Sequence, residues 1–360
     1  MAVNRKLSTR FRLPFLFVAI LCLFVGLLTG LNRIGWSVSL SGATSHHGAI
    51  MVGGFLGTLI GLEKVIPLKR KFLFFIPFLS GSSIVFFLAG QSLTSFVCIV
   101  IASAGLCIVL IYYLYREKSI IYALMAAGAA CWLVGNLLLM TTSFYPMSFP
   151  WWLGFGLLIV TAERLELSKF LPVRFRMKAL LVGLLAAYVC GLLLSFHGAG
   201  VFISAASLVG VAIWLLRFDI IGISMRKDGL PRFVAMALTC GYVSLLGTGV
   251  LMLSLDNEPL AYDAVVHSFF IGFIFSMIFA HGPIILPGVV GITVKPYHKI
   301  LYLWLVLLHA SWVIRICGDI ILDFSLRKHS GYITALAILG YLITIASLTG
   351  MTQRRHAKVL

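Results

Sequence analysis

The sequence has 360 residues, of which 61% are hydrophobic and 11% charged, and it carries a formal net charge of +17. That balance is far too apolar for an ordinary soluble domain, and it points to a lipid bilayer as the surrounding phase. The basic residues lie in short clusters between apolar runs rather than in a stripe or an aromatic-interleaved arm, which excludes nucleic acid as a partner.

Runs of about 20 apolar residues are long enough to cross a membrane as helices. In chain order they predict helices near 13–33, 46–67, 72–90, 92–115, 119–143, 149–168, 177–196, 199–216, 231–255, 262–283, 299–323 and 331–350. The fold class read from this pattern is all-α, a polytopic membrane bundle of about twelve transmembrane helices. No polar linker divides the chain, so residues 1–360 read as a single integral membrane domain. The first run follows Arg5, Lys6, Arg10 and Arg12 as a signal peptide would. It is longer than a typical signal core and lacks a small-residue cleavage site, so it reads as a retained helix. The seven cysteines are odd in number, show no C-x-x-C spacing and lie in apolar runs, where they read as packing residues.

Lys and Arg are retained on the cytoplasmic side of a membrane, so their placement predicts orientation. With both termini inside, 24 of the 28 fall in cytoplasmic segments, and the exceptions are Arg33, Arg315, Arg327 and Lys328. The loop containing Asp256, Glu258 and Asp263 then faces outward. Glu63 beside Lys64, and Glu163 and Glu166 beside Arg164, read as interfacial ion pairs. Arg315 and Asp319 are spaced to share one helix face.

The polar residues most suggestive of chemistry are histidines. His46 and His47 open the second predicted helix and His267 opens the tenth, both at outward-facing ends by the alternation above. Two imidazoles at matched depth on two helices suit a haem held between them, with His47 and His267 as the pair and His46 as the competitor for His47. The competing reading is that these histidines only anchor helix ends at the interface. Both segments carry Gly-Phe shortly after the histidine, Gly54-Phe55 and Gly272-Phe273, and a proline twenty residues on, Pro67 and Pro287. Gly53, Gly57 and Gly61 form a stripe of small residues that admits another backbone or a flat macrocycle. His281, fourteen residues beyond His267, is a further metal-ligand candidate, with backbone bonding near the inner surface as the alternative. His309 falls mid-span; His197, His298, His329 and His356 lie in loops or the tail.

The twelve-helix count, and His47, His267, Gly272 and Met277 in their places, resemble subunit I of the haem–copper oxidases and nitric oxide reductases, and more particularly the NnrS-type membrane proteins. The resemblance implies a haem-ligand histidine on the second and tenth helices and basic residues, here Arg327 with Arg315 or Lys328, that pair with haem propionates. It also leaves room for copper, with no site assigned. The chain departs from the oxidases on the sixth and seventh helices, which lack histidine, and at Val265, where a second histidine would stand. The expectation is therefore an inner-membrane protein with one b-type haem, serving respiratory electron transfer or the nitric oxide response with a redox partner protein, and not a terminal oxidase. Secondary transport of a small solute and a structural subunit without cofactor are the alternatives. No residue identifies an enzymatic reaction.

Overall fold

The computed structural model describes residues 9–38, 40, 42–194, 198–255, 258–289 and 295–357. Arg5, Lys6, His197 and Asp256, which entered the reading above, lie outside the described residues.

Every predicted apolar run is a helix. The twelve are α1 (Thr9–Arg33), α2 (Thr44–Leu68), α3 (Lys71–Leu88), α4 (Ser92–Glu117), α5 (Ile120–Thr142), α6 (Tyr145–Leu167), α7 (Phe175–Leu193), α8 (Gly200–Phe218), α9 (Leu230–Ser254), α10 (Ala261–Gly288), α11 (Leu301–Ile320) and α12 (Phe324–Met351). Eleven are long and apolar enough to cross a membrane. The twelfth, α6, has the length, but Pro146, Ser148 and Pro150 at its start and Glu163, Arg164 and Glu166 at its end dilute its hydropathy. The protein is an all-α, multi-pass membrane protein. Large apolar side chains remain exposed along the helices, among them Phe17, Val85, Ile108, Ile213, Val306 and Ile343, as expected where hydrocarbon is the solvent.

The helices end for local reasons. The Ser119 side chain accepts from the Ile121 amide at the start of α5, satisfying one of its orphan donors. Lys118 and Ser143 take left-handed backbone angles, φ 43° and 54°, that close α4 and α5.

Two compact units divide the chain, Met1–Ala162 and Glu163–Leu360. Each contains the same arrangement of four consecutive helices. In the first unit α2 packs on α1 and α3, and α3 packs on α4; in the second α10 packs on α9 and α11, and α11 packs on α12. Both α2 and α10 depart from α-helical geometry at corresponding places: Ile50–Gly57 and Ser268–Ile274 form i→i+5 hydrogen-bonded π-helix. Such segments are uncommon and concentrate at functional sites.

The Gly-Phe pairs sit inside these π segments, and the parallel extends to side chains. Thr58 Oγ1 donates to the Gly54 carbonyl at 2.6 Å, and Ser276 Oγ donates to the Gly272 carbonyl at 2.6 Å. In each case a hydroxyl four residues on satisfies a carbonyl within the π segment. Both glycines also face the preceding helix. A Cβ on Gly54 would lie 3.2 Å from Cys22 Sγ of α1, and one on Gly272 would lie 2.5 Å from Ser244 Cβ of α9.

The Gly53-Gly57-Gly61 stripe is filled by protein. A Cβ on these residues would lie 2.6 Å from Ile99, 2.3 Å from Trp132 and 3.3 Å from Ile76, respectively. The stripe admits α4, α5 and α3 rather than a macrocycle. Among the cysteines, Cys22, Cys98, Cys107 and Cys131 are buried packing residues, while Cys190 and Cys317 are exposed on helix surfaces.

Candidate haem-ligand histidines and their surroundings

His47 lies at the start of α2, against α1. Its Nδ1 is 2.8 Å from the Gly26 carbonyl and 3.3 Å from Thr29 Oγ1, which itself donates to Gly26 at 2.8 Å. A carbonyl only accepts, so Nδ1 carries the proton and a neutral ring has its lone pair at Nε2. Gly30 makes room for the ring: a Cβ there would lie 2.9 Å from Cε1. On α1, Gly30 thus gives the imidazole its space and Gly26, one helical turn earlier, gives it a carbonyl acceptor.

His46 is differently engaged. Its Nδ1 meets Tyr145 Oη at 3.2 Å and its Nε2 meets Ser92 Oγ at 2.8 Å, with the ring stacked 5.0 Å from Phe87. Both nitrogens are used within the first unit. His46 is a packing and hydrogen-bonding residue.

His267 closes the first turns of α10. Its Nδ1 is 2.8 Å from the Asp263 carbonyl and 3.3 Å from Oδ2 of the same residue. It therefore has the same assigned tautomer as His47, and no hydrogen bond to Nε2 occurs among the described residues. The Asp263 carboxylate is held in turn by Arg315, whose Nε and Nη2 approach Oδ2 at 2.9 and 2.6 Å, and by Arg327 Nη2 at 3.5 Å. Asp319 completes the group: Arg327 Nε is 2.6 Å from its Oδ1 and Arg315 Nε 3.6 Å from its Oδ2. Asp319 is held by charge rather than hydrogen-bond geometry, since neither of its oxygens has a hydrogen bond among the described residues. The Arg315 and Asp319 side chains are 6% and 1% exposed, so their charges need this mutual compensation.

Arg315 and Arg327, the residues expected at haem propionates, both lie in this cluster. Their guanidiniums are committed to Asp263 and Asp319, which makes the four side chains formally neutral as a set. Lys328 follows on α12, half-buried. The predicted Arg315–Asp319 pair is present, but sequence spacing missed that Asp263 is its centre.

The second unit holds another buried network. Arg164, expected to pair with its acidic neighbours at the interface, is instead 3% exposed and grips Asp219 with two parallel bonds, Nε–Oδ2 2.7 Å and Nη2–Oδ1 2.9 Å. Tyr242 Oη donates to Asp219 Oδ2 at 3.1 Å and the Ile221 amide to Oδ1 at 3.2 Å. Arg164 Nη1 lies 3.2 Å from His281 Nε2, and His281 Nδ1 donates to the Met277 carbonyl at 2.7 Å. Both nitrogens of His281, the further metal-ligand candidate, are thus engaged within this network. Asp219 and Tyr242 were not singled out from sequence, because nothing local to either announces the partner 55 or 23 residues away.

His309 Nε2 meets Ser276 Oγ at 2.8 Å, tying α11 to α10 just beyond its π segment. Among the described residues no group of three or more His, Cys, Asp or Glu side chains converges as a metal site. The His47 and His267 rings share one assigned tautomer, each with Nδ1 on a backbone carbonyl.

No curated protein and no solved structure matches the chain. Residues 12–349 match the family model described as a domain of unknown function, DUF8744, and the chain belongs to that family.

Proposed function

We propose that the protein binds a b-type haem in the inner membrane through His47 and His267, and serves electron transfer or the nitric oxide response rather than terminal oxygen reduction. The observation that carries the reading is the shared anchoring of the two rings. Each stands just before a π segment of its helix, and each donates Nδ1–H to a backbone carbonyl, the support that orients a ligating imidazole and fixes its tautomer. Bound haem would supply reversible one-electron chemistry; two imidazole ligands leave its iron no open coordination position, which favours electron transfer to a partner protein. In this reading both termini lie inside. A reporter fused after Leu255 therefore reads outside and one fused after Leu360 reads inside.

The test is the visible spectrum of the purified protein, oxidised and reduced. A split reduced band of low-spin haem, lost in both His47→Ala and His267→Ala, is the expected result, whereas a colourless wild-type protein overturns the reading. The Arg164–Asp219–His281 network favours a second reading, secondary transport, because buried ionisable residues in membrane helices commonly mark solute or ion paths. Solute uptake into vesicles by a colourless protein would select it.

A further inference from the structure

We infer that the first unit binds a small monovalent anion, of halide size, in the seam between α5 and α6. The site is built from Trp132, Asn136 and Ser148, lies wholly within residues 1–162 and owes nothing to the haem reading.

Each of the three carries a buried hydrogen-bonding atom with no partner among the described residues: Trp132 Nε1, Asn136 Nδ2 and Ser148 Oγ. Trp132 and Ser148 are fully buried and Asn136 is 4% exposed, so bulk water does not serve them. Orphaned polar atoms are rare in folded interiors, because each loses its hydration without a replacement. Three of them on one helix pair point to a bound species.

The surrounding contacts hold these atoms in place. Trp132 and Asn136, four residues apart, share the face of α5 turned to α6. Trp132 stacks on Phe155 with ring centroids 5.0 Å apart, and a Cβ on Gly57 would lie 2.3 Å from its Cζ2, so the indole is clamped and cannot turn toward another acceptor. Asn136 Oδ1 accepts from Trp152 Nε1 at 3.0 Å. An indole N–H only donates, which sets the orientation of the amide and leaves Nδ2 over. Gly135 lets α6 come alongside: a Cβ there would lie 2.8 Å from Trp152 Cδ1 and 3.1 Å from the Ser148 carbonyl. The Ser148 backbone therefore meets α5 at the residue before Asn136.

The chemistry of the orphans selects the ligand. Nδ2 offers two hydrogens, and Nε1 and the hydroxyl one each, while the only lone pairs among these three atoms belong to Ser148 Oγ. A water would take up some of these hydrogens but bring two of its own, with only the serine oxygen of the three to receive them. An anion accepts from every side and donates nothing. The local field agrees. Ser148 lies in the first turn of α6, at the positive end of that helix's dipole. The only carboxylates in residues 1–162 are Glu63, on α2, and Glu117, at the end of α4, so the first unit places no negative side chain on either helix of the seam. The clamped rings and the close approach at Gly135 favour a monatomic ion over a bulkier oxyanion.

The experiment uses the full-length protein purified in detergent and exchanged into gluconate. Chloride is added at constant ionic strength and read by the excess chlorine NMR linewidth that bound chloride confers and bromide removes. Saturable broadening is expected in the wild type. Ser148→Ala and Asn136→Leu, which remove donors to a charged ligand, are each expected to weaken half-saturation about tenfold or more. Thr161→Val removes another orphaned hydroxyl, about 20 Å farther along α6, and is expected to leave half-saturation within about twofold. No saturable broadening in the wild type overturns the inference. Broadening that either Ser148→Ala or Asn136→Leu retains at wild-type affinity also overturns it, and places the chloride on surface Lys and Arg instead. If either variant does not accumulate, Trp132→Phe, which keeps an aromatic ring against Phe155 and removes the N–H, is read by the same linewidth, and wild-type affinity there overturns the inference.

Discussion

The two histidine-bearing arrangements, α1–α4 in the first unit and α9–α12 in the second, share a helix order, a π segment and a hydroxyl-capped Gly-Phe, yet they hold their imidazoles by different physics. On α2 the support is neutral and steric: the Gly26 carbonyl, the Thr29 hydroxyl and the space left by Gly30. On α10 it is ionic, with Asp263, Arg315, Asp319 and Arg327 arrayed around His267. The difference teaches that a repeated backbone plan fixes where a side chain stands, while its chemical environment is set by residues outside the repeated pattern.

Charge explains why the second arrangement is the more fragile. A buried ion pair contributes modestly while intact, but removal of one partner leaves the other desolvated and uncompensated. The largest effect on stability is expected from the other buried pair, at Arg164. Asp219→Ala strands a guanidinium that is 3% exposed, and should cost about 3–5 kcal/mol, read as a lowered thermal unfolding midpoint in detergent. Tyr242→Phe removes one charge-assisted hydrogen bond from the same network and should cost about 1.5–3 kcal/mol. If the two losses were equal, the two-bond grip of Arg164 on Asp219 would not be the main contribution.

On the neutral side the expected losses are steric. Gly30→Ala places a methyl 2.9 Å from His47 Cε1, so the ring must shift, at about 1–3 kcal/mol and with a changed low-spin spectrum. A spectrum identical to wild type would remove Gly30 from the account of His47. At the small end, Glu166→Gln breaks a 3.5 Å pair with Lys169 whose side chains are about half exposed, and should change the midpoint by no more than about 0.5 kcal/mol equivalent.

These expectations separate what the sequence made legible from what it did not. Helix number and position were legible because a 20-residue apolar run has few alternatives in a bilayer, and even α6, with its prolines and charges, was anticipated. Gly54-Phe55 and Gly272-Phe273 were visible as weak likenesses; their content, a π segment capped by Thr58 or Ser276, was not, since i→i+5 bonding leaves no periodic mark over seven or eight residues. The partners of Arg164 and Arg315 were hidden for a different reason. Adjacent Glu163 and the i,i+4 neighbour Asp319 offered local pairings, whereas the decisive carboxylates, Asp219 and Asp263, stand 55 and 52 residues away. Long-range pairing inside a membrane follows from helix packing, which hydropathy does not encode. His46 and His47 show the same limit at shorter range. They are adjacent in sequence, and only the positions of Tyr145, Ser92 and Gly26 distinguish a ring held by two side-chain hydroxyls from one whose Nδ1 rests on a backbone carbonyl.

The most direct test of the account compares four proteins purified from the same membranes, the wild type and the His46→Ala, His47→Ala and His267→Ala variants, by low-temperature EPR of the oxidised form. The account predicts a low-spin signal of two-imidazole ligation in the wild type and in His46→Ala, and its loss in His47→Ala and in His267→Ala. A signal that survives both single substitutions, or one that depends on His46 and not on His47, would contradict it.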